Sequence, residues 1–342
     1  RARCRDAGLI EDSTKEELVR RLRDSPVVLM PASLDAGSRP PAKKQQLSIS
    51  HARRSVLLLI LSCCTCANGE AIPPLVALVR DGTDEQKEHA ADGLEGLARS
   101  DNNRVAIAQA GGIPPLVALL RDGTDKQKRI AAAALAHLAG NDNNKVAIAQ
   151  AGGIPPLVAL VRDGNDGQKS DAAEALWHLA MCDDNRVAIA EAGGIPPLVA
   201  LALDGMDSDL LENLQKFLAG VALKVLAMNA DNREAIIPPL VALVRDGADE
   251  QKSNAALALG MLAVNEVDIM VAIANAGGIP PLVALLVALV RDGTAEQKQS
   301  AETTHALLFL AYNADNKVVI TKAGGIPPLV ALVRDGTALQ KE

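Results

Sequence analysis

Apolar and polar positions follow a helical spacing along most of this chain, and the pattern restarts about every 41 residues. In the copy that begins at Ile72, residues 73–80 are apolar almost all round, which is typical of a helix covered on most sides. A longer helix is predicted next, with apolar residues at helical and not strand intervals: Ala90, Leu94, Leu97 and Ala98. A short helix from Val105 to Ala110 completes the unit.

Proline and glycine mark the ends of these predicted helices. A Pro-Pro pair lies at the first turn of each medium-length helix, where the backbone N–H groups have no partner in any case. The pair Gly111-Gly112 before it suits left-handed backbone angles, and Gly82 is predicted as a left-handed cap. Thr83 and Gln86 predict a capping box for the long helix, and Asp101-Asn102-Asn103 supplies N-cap candidates for the short one. The capping-box pair recurs at Thr124 and Gln127, Asn165 and Gln168, and Thr294 and Gln297.

Seven copies of Ile-Pro-Pro divide the chain into repeats. They begin at Ile72, Ile113, Ile154, Ile195, Ile237, Ile279 and Ile326, at spacings of 41, 41, 41, 42, 42 and 47 residues. Such a period indicates an array of helical units, none of which can bury its apolar face alone. We expect the array to span residues 48–342, with a degenerate capping repeat at 48–71 and a partial repeat from Ile326.

The array is irregular in two places. After Ile195 the long helix, predicted at residues 208–229, is about six residues longer than its counterparts, and the Gly-Gly pair before Ile237 is missing. After Leu282 an insertion of four residues duplicates part of the medium helix. A specialised binding segment and neutral drift explain these breaks equally well.

The repeated sequence resembles the armadillo repeat. The resemblance rests on Asn-Arg-Val-Ala-Ile-Ala-x-Ala-Gly-Gly-Ile-Pro-Pro-Leu-Val-Ala-Leu, followed by Ala-x-x-Ala-Leu-x-x-Leu-Ala, and it covers roughly residues 47–342. It implies an all-α fold, a right-handed superhelical solenoid in which the third, long helix of each repeat lines a concave groove. It also implies protein binding and not catalysis.

Armadillo proteins that clamp extended peptides carry an asparagine on each third helix, but this chain has none at the matching positions. Those positions hold Gly96, His137, His178, Val225, Met261 and Phe309. Clamping of a peptide backbone by asparagines is therefore not expected here. The resemblance still implies that these residues face the groove, together with the residues one turn earlier: Asp92, Ala133, Glu174, Val221, Leu257 and His305. Trp177 is either an interface anchor or a packing residue.

No constellation of side chains predicts catalysis or a cofactor. His137 and His178 occupy equivalent positions on adjacent long helices, but no third metal ligand is evident. The sequence shows no phosphate loop and no nucleophile with a base. We therefore expect neither enzyme activity nor a bound metal.

Composition and charge narrow the partner class and the compartment. The net charge of −7 argues against a broad nucleic-acid surface on the repeats. Five cysteines without framework spacing indicate a reducing, intracellular compartment, either cytoplasm or nucleus, with an organelle not excluded. No apolar run reaches the roughly 18 residues of a membrane span.

The N-terminal 47 residues differ from the array. Residues 1–24 resemble a SAP motif, a small helical element of chromatin and nucleic-acid proteins, although Ser13 replaces its usual turn glycine. The resemblance implies that Lys15, Arg20 and Arg21 contact DNA, and the alternative is a charged helical arm. Residues 25–47 contain four prolines with Ser, Gly, Lys and Gln, which predicts a linker.

An apolar run at residues 53–66 ends in Cys63, Cys64 and Cys66. The repeat register predicts that it is the long helix of the degenerate first repeat, and hence a buried cap. Lipidation of the three cysteines, a metal site and a targeting remnant are the alternatives, and the cysteines lack the two-pair spacing of a zinc site.

The sequence thus favours a protein-interaction scaffold that binds a protein or peptide partner in its groove. One alternative is a chromatin-tethered adaptor that contacts DNA through the N-terminal arm. The other is a fixed structural subunit of a large assembly, whose interface would be large and apolar.

Overall fold

The computed structural model of the protein describes residues 71–204, 210–292 and 302–335. This part of the chain is helical, and no strand occurs within it. The predictions for the SAP-like element with Lys15, Arg20 and Arg21, the linker, the capping run and Cys63, Cys64 and Cys66 lie outside the described residues. So does the capping box predicted at Thr294 and Gln297.

Eighteen helices make up the described ranges, in a recurring order of medium, long and short. They are α1 (Ile72–Asp81), α2 (Asp84–Ala98), α3 (Asp101–Gln109), α4 (Ile113–Asp122), α5 (Asp125–Leu138), α6 (Asp142–Gln150), α7 (Ile154–Asp163), α8 (Asp166–Ala180), α9 (Asp183–Glu191), α10 (Ile195–Leu203), α11 (Leu210–Leu226), α12 (Ala230–Asp246), α13 (Asp249–Ala263), α14 (Val267–Asn275), α15 (Ile279–Asp292), α16 (Glu302–Leu310), α17 (Ala314–Lys322) and α18 (Ile326–Asp335).

The capping boxes predicted for α2, α5 and α8 are confirmed, and of the pair Gly111-Gly112 only the first glycine is left-handed, since Gly112 has right-handed angles (φ −74°, ψ −22°). At the start of α2, Gln86 N donates to Thr83 Oγ1 and Thr83 N donates to Gln86 Oε1, and α5 and α8 begin in the same way. Gly111 has φ of +74°, so it makes the sharp turn from α3 into α4. The Pro-Pro pairs of α1, α4, α7 and α10 lie in the first helical turn.

Two predictions about helix ends are wrong. Gly82 is extended (φ −74°, ψ 171°) and not left-handed; a glycine fits there because a Cβ atom would lie 2.5 Å from Leu78 O. The Asp-Asn-Asn sequence does not cap the short helix, because α3 already begins at Asp101. In α6 the cap is the residue before that sequence, Asn141, whose Oδ1 accepts from the N–H groups of Asn143 and Asn144.

The two sequence irregularities change helix lengths. Helix α11 has 17 residues, compared with 15 in α8, so the described part of this helix is shorter than predicted. Helix α15 has 14 residues, compared with 10 in α7, as its four-residue insertion predicts.

Helix α12 replaces two helices with one. Between Ile236 and Ile237 the chain lacks the five residues, Gly-Gly included, that separate Ile107 from Ile113. Without a left-handed glycine to turn the chain, the short and medium helices continue as one helix of 17 residues. Pro238 and Pro239 lie inside it, so the prediction that each Pro-Pro pair lies in a first turn is wrong for this pair. The prolines supply no N–H, so the carbonyl groups one turn earlier lose their usual backbone donors.

A continuous apolar core runs through the stack. Each repeat contributes fully buried residues from its three helices, such as Leu75 on α1, Leu94 on α2 and Ile107 on α3. The second glycine of each pair lets the chain approach this core closely. A Cβ atom on Gly112 would lie 2.7 Å from Ile107 Cγ2 and 3.2 Å from Val76 Cγ2.

Buried amide side chains join successive repeats. Asn144 on α6 is 3% exposed, and its Nδ2 donates to Leu138 O in its own repeat and to Arg104 O in the preceding one, each at 3.1 Å. The same two-carbonyl bridge recurs at Asn185, Asn232 and Asn316. We call these four residues the asparagine ladder. Gln127 and Gln168 add a second link, since each donates to a carbonyl at the start of the preceding long helix.

The asparagine ladder is interrupted between α12 and α14. In the repeat register Ile269 occupies the ladder position of α14, and its buried side chain has no donor. A surface cleft opens between the same two helices, lined on one side by Arg233 and Pro238 and on the other by Ala272 and Asn275. Arg233 Nη1 lies 3.7 Å from Asp268 Oδ2 across this junction.

Candidate binding surface

The long helices lie next to one another in sequence order, so their outward side chains form one continuous surface. Each contacts the next in the series α2, α5, α8, α11, α13 and α16. We define the long-helix face as the side of these helices that carries Glu88, Asp92 and Gly96 on α2 and the residues in the same register on the others. Residues of neighbouring helices that lie at nearby register positions come into contact across this face.

The residues predicted to line the groove differ in exposure. Asp92 and His305 are exposed, whereas Val225 is only 4% exposed and belongs to the apolar core. The others are half-buried: His137, Glu174, Trp177, His178, Leu257, Met261 and Phe309. Trp177 and Phe309 are half-buried and pack against the core, so each combines a packing role with an accessible edge. Their role in binding stays a prediction.

Charged contacts join α2 to α5 on this face. His137 Nε2 lies 3.0 Å from Glu95 Oε1, and Arg99 Nη2 donates to the same oxygen at 3.0 Å. Lys126 Nζ is 2.7 Å from Glu88 Oε1. The Glu95 carboxylate of α2 therefore contacts both the His137 imidazole on α5 and the guanidinium of Arg99, which directly follows α2.

Helix α8 contributes a histidine stacked on the chain's single tryptophan. The ring centroids of Trp177 and His178 are 4.5 Å apart at an interplanar angle of 25°, and His178 Nε2 is 4.0 Å from Glu174 Oε1. Burial lowers the pKa of His178, and the nearby charges of Lys145, His137 and Arg104 lower it further. Trp177 Nε1 is buried and has no hydrogen-bond partner among the described residues.

Asp171 occupies a position that two other long helices use for the apolar core. In the same register α5 has Ile130 and α11 has Leu218, which are 5% and 6% exposed. Burial raises the pKa of Asp171 to about 6; Arg129 opposes this, while the carboxylates of Glu174 and Glu95 add to it. Asp171 is not among the predicted site residues, although its alignment with Ile130 shows a carboxylate at an apolar position of the repeat.

The face becomes apolar at α11. Leu214 and Phe217 are 46% and 56% exposed, in the register positions that α2 fills with Glu85 and Glu88. Met261 of α13 reaches over α11, because a Cβ atom on Gly220 would lie 2.9 Å from Met261 Cε. Leu214 and Phe217 are not among the residues predicted to face the groove, although the alignment of repeats places them on this face.

Two negative findings apply to the described residues. No group of three or more His, Cys, Asp or Glu side chains there is arranged to hold a metal ion. No single helix among them is long and apolar enough to cross a membrane. Two bent pairs, α9 with α10 and α14 with α15, meet that test only together and by length and composition alone.

Comparison with known proteins identifies the fold family. The sequence model of the Armadillo/beta-catenin-like repeat matches residues 100–140 and 141–181. An engineered protein of a structural genomics consortium is 30% identical, with a TM-score of 0.52, and the match covers 70% of this chain and 96% of that one. A computationally designed armadillo repeat protein for modular peptide recognition is 25% identical, with a TM-score of 0.51, over 70% of this chain and 99% of that one. This chain is an armadillo-repeat protein. No curated protein sequence matches it significantly.

The family assignment makes the long-helix face a candidate surface for binding a peptide or protein. Armadillo repeats commonly bind peptides and proteins, and the fold is typically a non-enzymatic scaffold. In this armadillo protein the face divides into a charged section on α2, α5 and α8 and an apolar section on α11, α13 and α16. The asparagines of its ladder are in the core, between repeats, and not on this face.

Proposed function

We propose that this armadillo-repeat protein is a non-enzymatic interaction scaffold that binds a peptide or protein partner on its long-helix face. One observation carries the proposal. Leu214 and Phe217 expose large apolar side chains on a helix whose core side is already filled by Leu218, Ala222 and Leu226. Exposed apolar side chains that the fold does not need are typical of interaction sites.

The apolar section is the better candidate for the centre of the contact. Binding energy is concentrated in a few large anchors, and apolar side chains lose little on desolvation compared with carboxylates. Phe217, Met261 and Phe309 are the anchors that we propose, with His137, Glu174 and His178 as a polar rim. The designed armadillo protein, whose name specifies peptide recognition, supports a peptide as one form of partner.

Affinity capture from a cell extract followed by mass spectrometry would supply the partner, and a binding titration would then test the site. We expect Phe217→Ala to weaken the purified interaction. The matched control is Val187→Ala, because Val187 is 44% exposed on the short helix α9 and outside the long-helix face. Equal affinity of both variants and the wild type would place the partner elsewhere.

A further inference from the structure

Three carboxylates and two imidazoles come together on the charged section of the long-helix face. They are Glu95 on α2, His137 on α5, and Asp171, Glu174 and His178 on α8. We call these five residues the carboxylate–histidine cluster. Glu95 and His137 are 3.0 Å apart, Glu174 and His178 are 4.0 Å apart, and Asp171 is half-buried, where the charges of Arg129, Glu174 and Glu95 act on it.

Other charged groups surround the cluster on every helix packed against it. They are Glu88, Asp92 and Arg99 on α2, Lys126 and Arg129 on α5, Arg104 on α3, Lys145 on α6, and Lys224 on α11. Several of these are already engaged. Lys126 is paired with Glu88, and Lys224 Nζ donates to Val264 O, on the far side of α11 from the cluster. Arg129 is the cation that acts on Asp171.

We propose that the carboxylate–histidine cluster is a proton-operated switch on the long-helix face. In mild acid His178 becomes a cation that holds Glu174 in an internal ion pair, while Asp171 takes up a proton. The carboxylates of Glu174 and Asp171 are thereby withdrawn, and the cluster gains two positive charges. The switch is a property of the free chain, and only its consequence for a partner rests on the proposed function.

The pairing geometry supports each step. Glu95 Oε1 lies 3.0 Å from both His137 Nε2 and Arg99 Nη2, so this carboxylate links α2 to α5 within the cluster. Glu174 precedes His178 by one helical turn, a spacing at which opposite charges attract. The raised pKa of Asp171, about 6, places its protonation in mild acid, and the lowered pKa of His178 places its protonation below the ordinary histidine value.

The single tryptophan reports on the switch without a label. A protonated imidazole in contact with an indole ring quenches its fluorescence, and His178 is stacked on Trp177. We expect the emission of the whole chain to fall on acidification from pH 8, with a midpoint below 6.5, the ordinary pKa of histidine. His178→Gln should abolish this transition. A transition that persists in His178→Gln, or none in the wild type, would overturn the proposal.

Two further variants test whether the groups act as one cluster. His137→Gln removes one of the groups that lower the pKa of His178 and should shift the midpoint to higher pH, whereas Glu174→Gln removes an attracting carboxylate and should shift it to lower pH. A midpoint unchanged in both variants would show independent histidines and refute the switch. Circular dichroism of each variant at pH 7.5 confirms the fold. The outcome is independent of the Phe217 binding test, so the two proposals fail separately.

Asp171 is tested through the stability of the chain, because no spectroscopic probe is adjacent to it. The difference in unfolding midpoint between wild type and Asp171→Asn should shrink as the pH falls from 7.5 to 4.5. A difference that stays constant over this range would show that Asp171 does not take up the proton, and the switch as stated would be wrong.

Discussion

Gly112 lies so close to Ile107 that a Cβ atom at position 112 would be 2.7 Å from Ile107 Cγ2. Gly111 makes the left-handed turn, and Gly112, with ordinary right-handed angles, is needed for the approach. The first glycine of the pair is therefore required by its left-handed backbone angle, and the second by its close contact with the core.

Alanine at position 112 should destabilise the chain. We expect Gly112→Ala to lower the free energy of unfolding by about 1–3 kcal/mol, since the buried isoleucine must move to admit the methyl group. Gly96→Ala is the matched control: a Cβ atom there meets nothing within 4 Å, and the residue lies in helix α2. It should stabilise by roughly 0.5–1 kcal/mol. Urea unfolding of both variants measures the contrast, and similar values for the two would refute the steric explanation.

Removal of one rung of the asparagine ladder should cost more than removal of its exposed neighbour. Asn144→Ala leaves the carbonyl groups of Leu138 and Arg104 buried without their side-chain donor, which should cost about 1–3 kcal/mol. Asn143 is exposed in the same turn, and Asn143→Ala should change stability by less than about 0.5 kcal/mol. Thermal unfolding compares the pair; an equal effect would mean that the bridge to the preceding repeat contributes nothing.

Asp171 should make stability depend on pH. Its pKa is raised to about 6 in the folded chain, from an ordinary value of 3.8, so the folded state binds the proton more tightly. Its contribution is therefore fully present below pH 3.8 and is lost as the pH rises through 6. Asp171→Asn should be more stable than the wild type at pH 7.5 by roughly 1–2 kcal/mol, after allowance for solvent screening.

The control for this prediction is Asp92→Asn, which changes an exposed carboxylate on the same face. Comparison of each variant with the wild type at one pH cancels the opposite contribution of His178. The pKa of His178 is lowered, so its contribution is lost as the pH falls. If Asp92→Asn stabilises the chain as much as Asp171→Asn, general charge repulsion and not burial is the cause.

Partner binding should depend on the aromatic residues of the apolar section. Phe309→Ala and Phe217→Ala should each weaken binding by roughly 1–3 kcal/mol if they are anchors. Phe309 also packs against the core, so its variant is compared at a temperature well below its melting point. Phe217 is more than half exposed, and its truncation should leave the melting temperature nearly unchanged. Normal affinity of both folded variants would remove the apolar section from the interface.

The fold could be predicted from the sequence because its signals are local and repeated. The Ile-Pro-Pro period, the Gly-Gly turns and the capping boxes each act within a few residues, and α2, α5 and α8 begin as the boxes predict. The errors at Gly82 and at the Asp-Asn-Asn sequence have one cause. Glycine and asparagine were assigned their commonest local roles, whereas contacts with Leu78 O and with the preceding repeat decide their positions.

The candidate site was predictable only in part, because it depends on contacts between repeats. Register alone placed His137 and His178 on adjacent helices. It did not reveal that His137 meets Glu95, that Trp177 stacks on His178, or that Val225 is buried. Asp171 and Phe217 are exceptions in the repeat alignment, a carboxylate at a core position and an aromatic ring at a charged one. Departures of this kind from the repeat pattern mark candidate functional positions, and they are visible in the sequence when the repeats are aligned.

The interruption of the asparagine ladder at Ile269 has a consequence for cooperativity. In a repeat array the coupling between neighbours decides whether unfolding spreads through the whole stack or stops at a boundary. Most junctions between described short helices are crossed by an amide hydrogen bond from a buried asparagine, whereas the junction of α12 with α14 has an isoleucine, a cleft and one long ion pair. Unfolding that begins at either end should therefore pause there. We expect two thermodynamic blocks that meet next to the apolar section of the long-helix face.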